Sequence, residues 1–176
     1  MVKARIDVLP DKKPAYRQSG LIWLGISVFI VILDQLTKAL VSQNLEYRQV
    51  IEILPVFNLT LAHNYGAAFS MLSQAGGWQR WFFAALAATA SILIIGWLRA
   101  VPRSQRCFGI SLALILGGAL GNLIDRLIFG YVIDFLDFYW GSAHFPAFNL
   151  ADSAITVGAV LMLFYSFFLE PKSKPA

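Results

Sequence analysis

The sequence predicts a mainly α-helical membrane protein with four transmembrane helices. Of its 176 residues, 58% are hydrophobic and only 14% are charged, and the mean hydropathy is +0.65. Such a composition is too apolar for an ordinary soluble domain. Four apolar runs are long enough to cross the hydrocarbon core, which takes about 20 helical residues. They cover residues 21–40, 78–98, 108–129 and 152–169, and we expect residues 1–176 to form a single integral membrane domain.

The first run follows a polar tail, residues 1–20, that carries five Lys and Arg side chains. Tail and run together resemble the n-region and h-region of a signal peptide. The run is long, however, contains Asp34 and lacks a small-x-small cleavage site. We therefore predict a retained transmembrane helix.

The positions of Lys and Arg predict the orientation, because positive residues accumulate in short cytoplasmic segments. Both tails, residues 1–20 and 170–176, and the link between the second and third runs are basic. Loops 42–77 and 130–151 contain almost no Lys or Arg. Both termini are therefore expected in the cytoplasm. The basic pI of about 9.4 then reflects topology and anionic lipid headgroups, with no nucleic acid partner.

The loop of residues 42–77 is expected to be structured. Apolar and polar side chains alternate over residues 57–61, as in a half-buried strand. Residues 64–77 mix glycines with apolar side chains. We predict a small extracytoplasmic β-sheet followed by a short interfacial helix or flap.

Four carboxylates are predicted near the outer membrane face. Asp34 lies about 20 Å along the first helix and Asp125 about 26 Å along the third, at a rise of 1.5 Å per residue. Asp134 follows the third run, and Asp152 opens the fourth. Charges at membrane depth usually mark function. Because a transport pathway needs polar groups across the full depth, this one-sided distribution favours an enzyme at the outer face.

Asp134 and Asp152 are the candidate catalytic pair. When two carboxylates lie close together, one keeps a proton while the other accepts one from water, as peptide hydrolysis requires. The structural alternative is that Asp152 is only an N-cap and Asp134 a solvated loop acid. Spacing alone slightly favours that alternative.

The third helix should present Asn122, Asp125 and Arg126 on one face, since they are spaced i, i+3 and i+4. This face would orient the aspartates, bind a polar headgroup, or form an internal ion-pair network. Asp34 and Lys38 are spaced i, i+4 and fit a structural ion pair, although the depth of Asp34 places it near the site.

Other features of the sequence favour packing or exposure. Gly117, Gly118 and Gly121 include a GxxxG pattern, which allows close helix contact. Asp137 is interpreted as an exposed loop acid.

Other hydrolytic mechanisms have less support. His63 and His144 are the only histidines, and there is no HExxH motif for zinc. No GxSxG pattern supports a serine nucleophile. An aspartyl mechanism without metal or cofactor is favoured.

Five segments in this order resemble the bacterial lipoprotein signal peptidase family, signal peptidase II. They are residues 34–38 (DQLTK), 64–69 (NYGAAF), 121–126 (GNLIDR), 132–135 (VIDF) and 148–152 (FNLAD). Each is weak alone, but the five together are specific. The resemblance extends from the first helix to the fourth.

The resemblance implies a four-helix aspartyl endopeptidase of the bacterial inner membrane, with its active site near the periplasmic face. Its substrate would be a diacylglyceryl-modified prolipoprotein, cleaved just before the lipidated cysteine, in contact with membrane lipids. We expect a monomer. The resemblance assigns Asp134 and Asp152 as the dyad. It implies supporting roles for Asp34, Asn64, Gly66, Asn122, Asp125, Arg126 and Asn149.

Of these supporting residues, Asn64 and Arg126 are expected to hold substrate carbonyls, and Asn122 and Asp125 to fix the third helix. The main alternative function is a small lipid-binding or assembly protein whose polar cluster only holds helices together. A transporter is the third.

Overall fold

The computed structural model describes residues 14–66 and 76–169 as four long helices with a four-stranded antiparallel sheet at one end. Two 3₁₀ turns near the N-terminus and a π-helical turn after α4 accompany them. The helices are α1 (Leu24–Asn44), α2 (Trp78–Ala100), α3 (Arg106–Ile128) and α4 (Leu150–Phe164). The strands are β1 (Val50–Leu54), β2 (Phe57–Asn64), β3 (Val132–Trp140) and β4 (Ala143–His144).

Each helix, with the turns that flank it, is long and apolar enough to cross a membrane. The four segments are Gly20–Asn44, Trp78–Ala100, Arg106–Ile128 and Leu150–Leu169. The prediction of a mainly α-helical multi-pass membrane protein with a small sheet is confirmed. Most of the predicted helix or flap at residues 64–77 lies outside the described residues.

Helix α3 is the centre of the bundle and packs against α1, α2 and α4. Most of its side chains are buried, whereas the other three helices leave most of theirs partly or fully exposed. The exposed side chains are largely apolar, which suits contact with lipid. A core cluster that includes Leu98, Leu112 and Tyr165 fills the end of the bundle away from the sheet.

Glycines on α3 allow the helices to approach closely. A Cβ atom at Gly121 would lie 2.6 Å from Asp34 Oδ2, and one at Gly118 would collide with the carbonyl oxygen of Ala151. Small residues at such contacts allow backbones to meet, as the GxxxG spacing predicts. The first turn of α4 and the polar part of α1 therefore both lie against the glycine face of α3.

The sheet has the order β1-β2-β3-β4. Strand β3 is the longest, and the sequence pattern does not predict it, since residues 132–140 belong to the expected loop 130–151. Its first four residues are all buried, so they lack the alternation that identifies a half-buried strand. Asp134 therefore lies on a strand rather than in a loop.

The close contact of α3 with α4 gives a test of this packing. We expect Gly118→Ala to lower the free energy of unfolding by about 1–3 kcal/mol, because the added methyl group meets the backbone carbonyl of Ala151 as well as the side chain of Ile155. Gly96→Ala in α2 is the matched control, since nothing lies within 4 Å of its Cβ position. Thermal unfolding in detergent measures both, and equal stability of the two variants would contradict this packing.

Candidate active site

The structure brings Asp134 and Asp152 to one cavity of about 750 Å³. Asp134 comes from β3, and Asp152 comes from the first turn of α4. The chain between them returns to β3, because the backbone N–H of Leu136 donates to the carbonyl oxygen of Phe148 at 2.8 Å. This contact places Asn149 and the start of α4 beside Asp134.

Two asparagines connect the aspartates. Asn149 Nδ2 donates to Asp134 Oδ1 at 2.7 Å, and Asn122 Nδ2 donates to Asp152 Oδ1 at 2.7 Å. Asn149 Nδ2 also lies 3.2 Å from Asn122 Oδ1. Each carboxylate is therefore oriented by a neutral amide, and the two amides are in contact with each other.

Asp134 is almost fully buried, with a relative exposure of 2%. Its Oδ2 accepts a hydrogen bond from Asn64 Nδ2 at 3.0 Å. Burial, followed by the negative charge of Asp152, raises the pKa of Asp134 to about 7, against the opposing hydrogen bonds from Asn64 and Asn149. Near neutral pH this side chain carries a proton in a large fraction of molecules.

Asp152 is held by the cap of α4. The side chain of Asn149 accepts from the backbone N–H of Asp152 at 2.9 Å, and Asp152 Oδ2 accepts from the backbone N–H of Asn149 at 3.4 Å. This reciprocal arrangement is a capping box. The residue that caps α4 is therefore Asn149, and the alternative in which Asp152 is the N-cap is wrong. The box fixes the direction of the Asp152 side chain.

Beneath the pair, Lys38 forms a buried bridge between α1 and α3. Its Nζ lies 2.8 Å from Asp34 Oδ2 and 2.8 Å from Asp125 Oδ2, and it donates to Asn122 Oδ1 at 3.0 Å. Neither Lys38 nor its two aspartates exceed 2% exposure. The i, i+4 pair of Asp34 and Lys38 is present as the spacing indicates. The three donors of the ammonium group each have an acceptor.

The same carboxylates also hold the elements that carry Asp134 and Asp152. Asp34 Oδ1 accepts from the backbone N–H of Ala151 at 2.9 Å, and Asp125 Oδ2 accepts from that of Ile133 at 3.1 Å. Gln35 Nε2 joins them, 3.2 Å from Asp34 Oδ2 and 2.9 Å from Asp125 Oδ1. Sequence reasoning missed Gln35, although it lies inside the DQLTK segment.

Arg126 lines the cavity beside the pair. Its Nη2 donates to the carbonyl oxygen of Gly66 at 3.1 Å, and its guanidinium lies 5.3 Å from the ring centroid of Phe83. The backbone N–H of Gly66 donates in turn to Asn64 Oδ1 at 3.0 Å. All the site residues predicted from the sequence thus belong to one network or to the cavity it borders.

Asp137 is not the exposed loop acid expected from the sequence. It is 7% exposed, accepts from Asn58 Nδ2 at 2.9 Å, and lies 3.0 Å from His144 Nδ1. It ties β2 and β4 to β3. The error follows from the missed strand, since strand pairing supplies both partners.

Metal ligation finds no support in the part of the chain that the structure describes. Within residues 14–66 and 76–169, no group of three or more His, Cys, Asp or Glu side chains could hold a metal ion.

Comparisons with known proteins agree on one family. Residues 26–168 match the profile of a family described as Signal peptidase (SPase) II. A lipoprotein signal peptidase of Acinetobacter baumannii is 56% identical over 156 residues, covering 89% of this chain and 88% of that protein. One of Shewanella loihica is 51% identical over 158 residues, covering 90% and 93%. A solved structure described as a bacterial membrane enzyme superposes with a TM-score of 0.74 at 30% identity, covering 88% of this chain and 94% of that one.

The buried bridge gives a sharp test of the network. We expect Lys38→Met to lower the free energy of unfolding by about 3–5 kcal/mol, because it leaves two buried carboxylates without their cation. The triple variant Asp34→Asn, Lys38→Met, Asp125→Asn should recover much of that loss, since it leaves no buried charge unpaired. The free energies of unfolding of the single and triple variants are measured in denaturing detergent. Additive losses in the triple variant would contradict the bridge.

The raised pKa of Asp134 predicts a pH dependence of stability. The folded pKa of about 7 exceeds the ordinary value of 3.8, so the folded protein binds this proton more tightly than the unfolded chain. Its contribution is full below pH 3.8 and is lost as the pH rises through 7. We therefore expect Asp134→Asn to gain stability relative to wild type between pH 5 and pH 8.5. Melting curves that shift in parallel for the two proteins would contradict the raised pKa.

Proposed function

The chain belongs to the signal peptidase II family and is an endopeptidase that removes signal peptides from lipoprotein precursors; we propose that Asp134 and Asp152 carry out the cleavage. The observation that carries this proposal is the pair itself, two buried carboxylates from different elements in one cavity, each oriented by an asparagine. We further propose that the substrate cysteine carries diacylglycerol and that the scissile bond lies just before it.

The proposed reaction needs no covalent intermediate. Asp152, as the carboxylate, takes a proton from a water molecule held between the two side chains, and the resulting hydroxide attacks the scissile carbonyl carbon. Asp134 donates its proton to the carbonyl oxygen. The tetrahedral intermediate then collapses as Asp152 protonates the leaving amine nitrogen and Asp134 recovers its proton from a hydroxyl group. The raised pKa of Asp134 supports this division of roles near neutral pH.

Arg126 and Asn64 are proposed to position the substrate backbone. A guanidinium group has five N–H donors. In Arg126, Nη1 and Nη2 donate to the carbonyl oxygens of Asn122 and Gly66. The remaining N–H groups of Arg126, which lines the cavity, are available to donate to substrate carbonyl oxygens. Asn122 and Asn149 are positioning residues that act through the aspartates.

The cavity also suits a lipidated substrate. Its lining includes Ile155, Thr156 and Val157 on α4, and Val157 is half exposed on the outside of the bundle. Acyl chains would then stay in the bilayer while the peptide enters the cavity. Buried methylenes contribute about 0.8 kcal/mol each to membrane anchoring, so the lipid would supply much of the binding energy.

We propose that the protein works as a monomer in the bacterial inner membrane, with both termini cytoplasmic and the site at the periplasmic face. The distribution of basic side chains supports this orientation. Arg99, Arg103 and Arg106 lie at the end of the bundle opposite Asp134 and Asp152.

The test is cleavage of a diacylglyceryl-modified precursor by purified protein in the presence of a chelator. We expect Asp134→Asn and Asp152→Asn each to lower the rate by about a thousandfold or more, because each removes one proton-transfer group. Glu52→Gln, an exposed acid on β1, is the matched control and should cleave at the wild-type rate. All four proteins should retain their melting temperatures within a few degrees at pH 6.

Three outcomes would overturn all or part of this proposal. Activity that survives in either aspartate variant would assign the chemistry to other carboxylates. Efficient cleavage of an unlipidated precursor by the wild type would remove the proposed basis of specificity. Well-folded wild type that retains lipid but cleaves neither precursor would favour the lipid-binding alternative.

A further inference from the structure

A basic groove of about 640 Å³ lies at the end of the molecule opposite the candidate active site. Three arginines line it, Arg17 from the N-terminal turn, Arg103 from the α2–α3 link and Arg106 from the first position of α3. We call it the arginine groove. Since α3 has 23 residues and rises 1.5 Å per residue, the groove lies about 30 Å from the level of Asp125.

The arginine groove is built by backbone contacts. The N–H of Arg103 donates to the carbonyl oxygen of Gln18 at 2.7 Å, and the N–H of Gly20 donates to that of Val101 at 2.7 Å. These bonds fasten the N-terminal turn along the α2–α3 link. Arg17 and Arg103 are therefore held side by side by the fold.

A fourth arginine, Arg99, lies near the groove but makes structural contacts. Arg99 Nη1 donates to the carbonyl oxygen of Pro14 at 2.6 Å, and its guanidinium lies 3.9 Å from the ring centroid of Tyr16. Arg99 thus anchors the N-terminal turn over the end of α2. The arginines of the groove make no such contact in the described part of the chain.

The charge of the arginine groove is not balanced within residues 14–66 and 76–169. Its three arginine side chains are exposed, and in those ranges none of them forms an ion pair with a carboxylate. The positive end of the α3 dipole adds to their field. Three cations that line one groove repel one another, so an anion that binds all of them is favoured.

The geometry suits a phosphate group in particular. The planar guanidinium fork matches phosphate oxygens in pairs, which a lysine ammonium does not. The groove lies where α2 ends at Ala100 and α3 begins at Arg106, which is the level of lipid headgroups for helices that span the bilayer. Basic pockets between helix ends at this level are suited to anionic lipid headgroups.

We propose that the arginine groove binds the phosphate of an anionic phospholipid in the leaflet opposite the active site. An excess of basic side chains scattered over the cytoplasmic segments would be enough to orient the protein in the membrane. Orientation alone does not require three arginines in one groove whose backbone is held by hydrogen bonds. The site is separate from the proposed proteolysis and does not depend on it. Lipid bound there would hold the N-terminal turn, the end of α2 and the start of α3 together.

The experiment measures lipid retention by native mass spectrometry of purified protein in detergent, with phosphatidylglycerol or phosphatidylcholine of the same acyl chains. We expect the wild type to retain phosphatidylglycerol preferentially. Each arginine at a membrane surface contributes a factor of about five to anionic-lipid affinity, so Arg103→Gln with Arg106→Gln should weaken retention about 25-fold. Retention of phosphatidylcholine should not change.

Two further variants make the result specific. Arg103→Lys with Arg106→Lys keeps the charge and should stay within about fivefold of wild type, which separates loss of charge from loss of fold. Arg48→Gln removes one exposed charge at the opposite end of the molecule and should retain the lipid as wild type does.

Three results would overturn the proposal. The first is retention of phosphatidylglycerol by the glutamine variant at the wild-type level. The second is a loss of about fivefold in Arg48→Gln, the factor assigned to each arginine, which would show an effect of net charge alone. The third is displacement of the lipid by inorganic phosphate at equal concentration, which would identify a free anion as the ligand.

Discussion

The buried bridge from Lys38 to Asp34 and Asp125 is the interaction on which the rest of this structure depends. Burying three charges at membrane depth is costly unless every one is paired and hydrogen-bonded. The oxygens that do not face the ammonium group are also satisfied, since Asp34 Oδ1 accepts from the backbone N–H of Ala151 and Asp125 Oδ1 accepts from Gln35. Asp125 Oδ2 accepts in addition from the backbone N–H of Ile133. Because these partners lie on α1, α3, α4 and β3, satisfying the bridge fixes the relative position of all four elements.

The position of the bridge bears on the proposed catalytic pair, Asp134 and Asp152, whose neighbours include the amides of Asn122 and Asn149. If Lys38 contacted Asp134 or Asp152 directly, its charge would favour the ionised form of that carboxylate and oppose the exchange of a proton between them. Its ammonium group instead contacts Asp34, Asp125 and Asn122, and its charge acts on Asp134 only from a distance, where the effect of burial on the pKa is larger. Asn122 and Asn149 orient the carboxylates without adding charge.

Features that depend on local spacing could be predicted from the sequence, and features that depend on long-range pairing could not. Apolar run length identifies the four helices, and the i, i+4 rule identifies the pair of Asp34 and Lys38. Asp125 joins that bridge, and Asp137 finds its partners, through contacts between residues far apart in the chain. Local spacing does not predict such contacts. Residues 132–135 are buried on both faces, so they lack the polar alternation by which a strand such as β3 is recognised in a sequence.

An irregularity in the sheet sets the space available to Asp134. The pairs Asn58 with Asp137 and Leu59 with Leu136 define a register that, if continued, would place Leu61 opposite Asp134. A bulge between Leu59 and Ala62 shifts the pairing by one residue and places Ala62 there. Directly opposed side chains lie about 5 Å apart, so a leucine at this position would compete with substrate for the room beside the carboxylate. Ala62 lines the cavity, and Leu61 is buried elsewhere. The bulge therefore keeps space open beside the carboxylate that the bridge beneath has fixed.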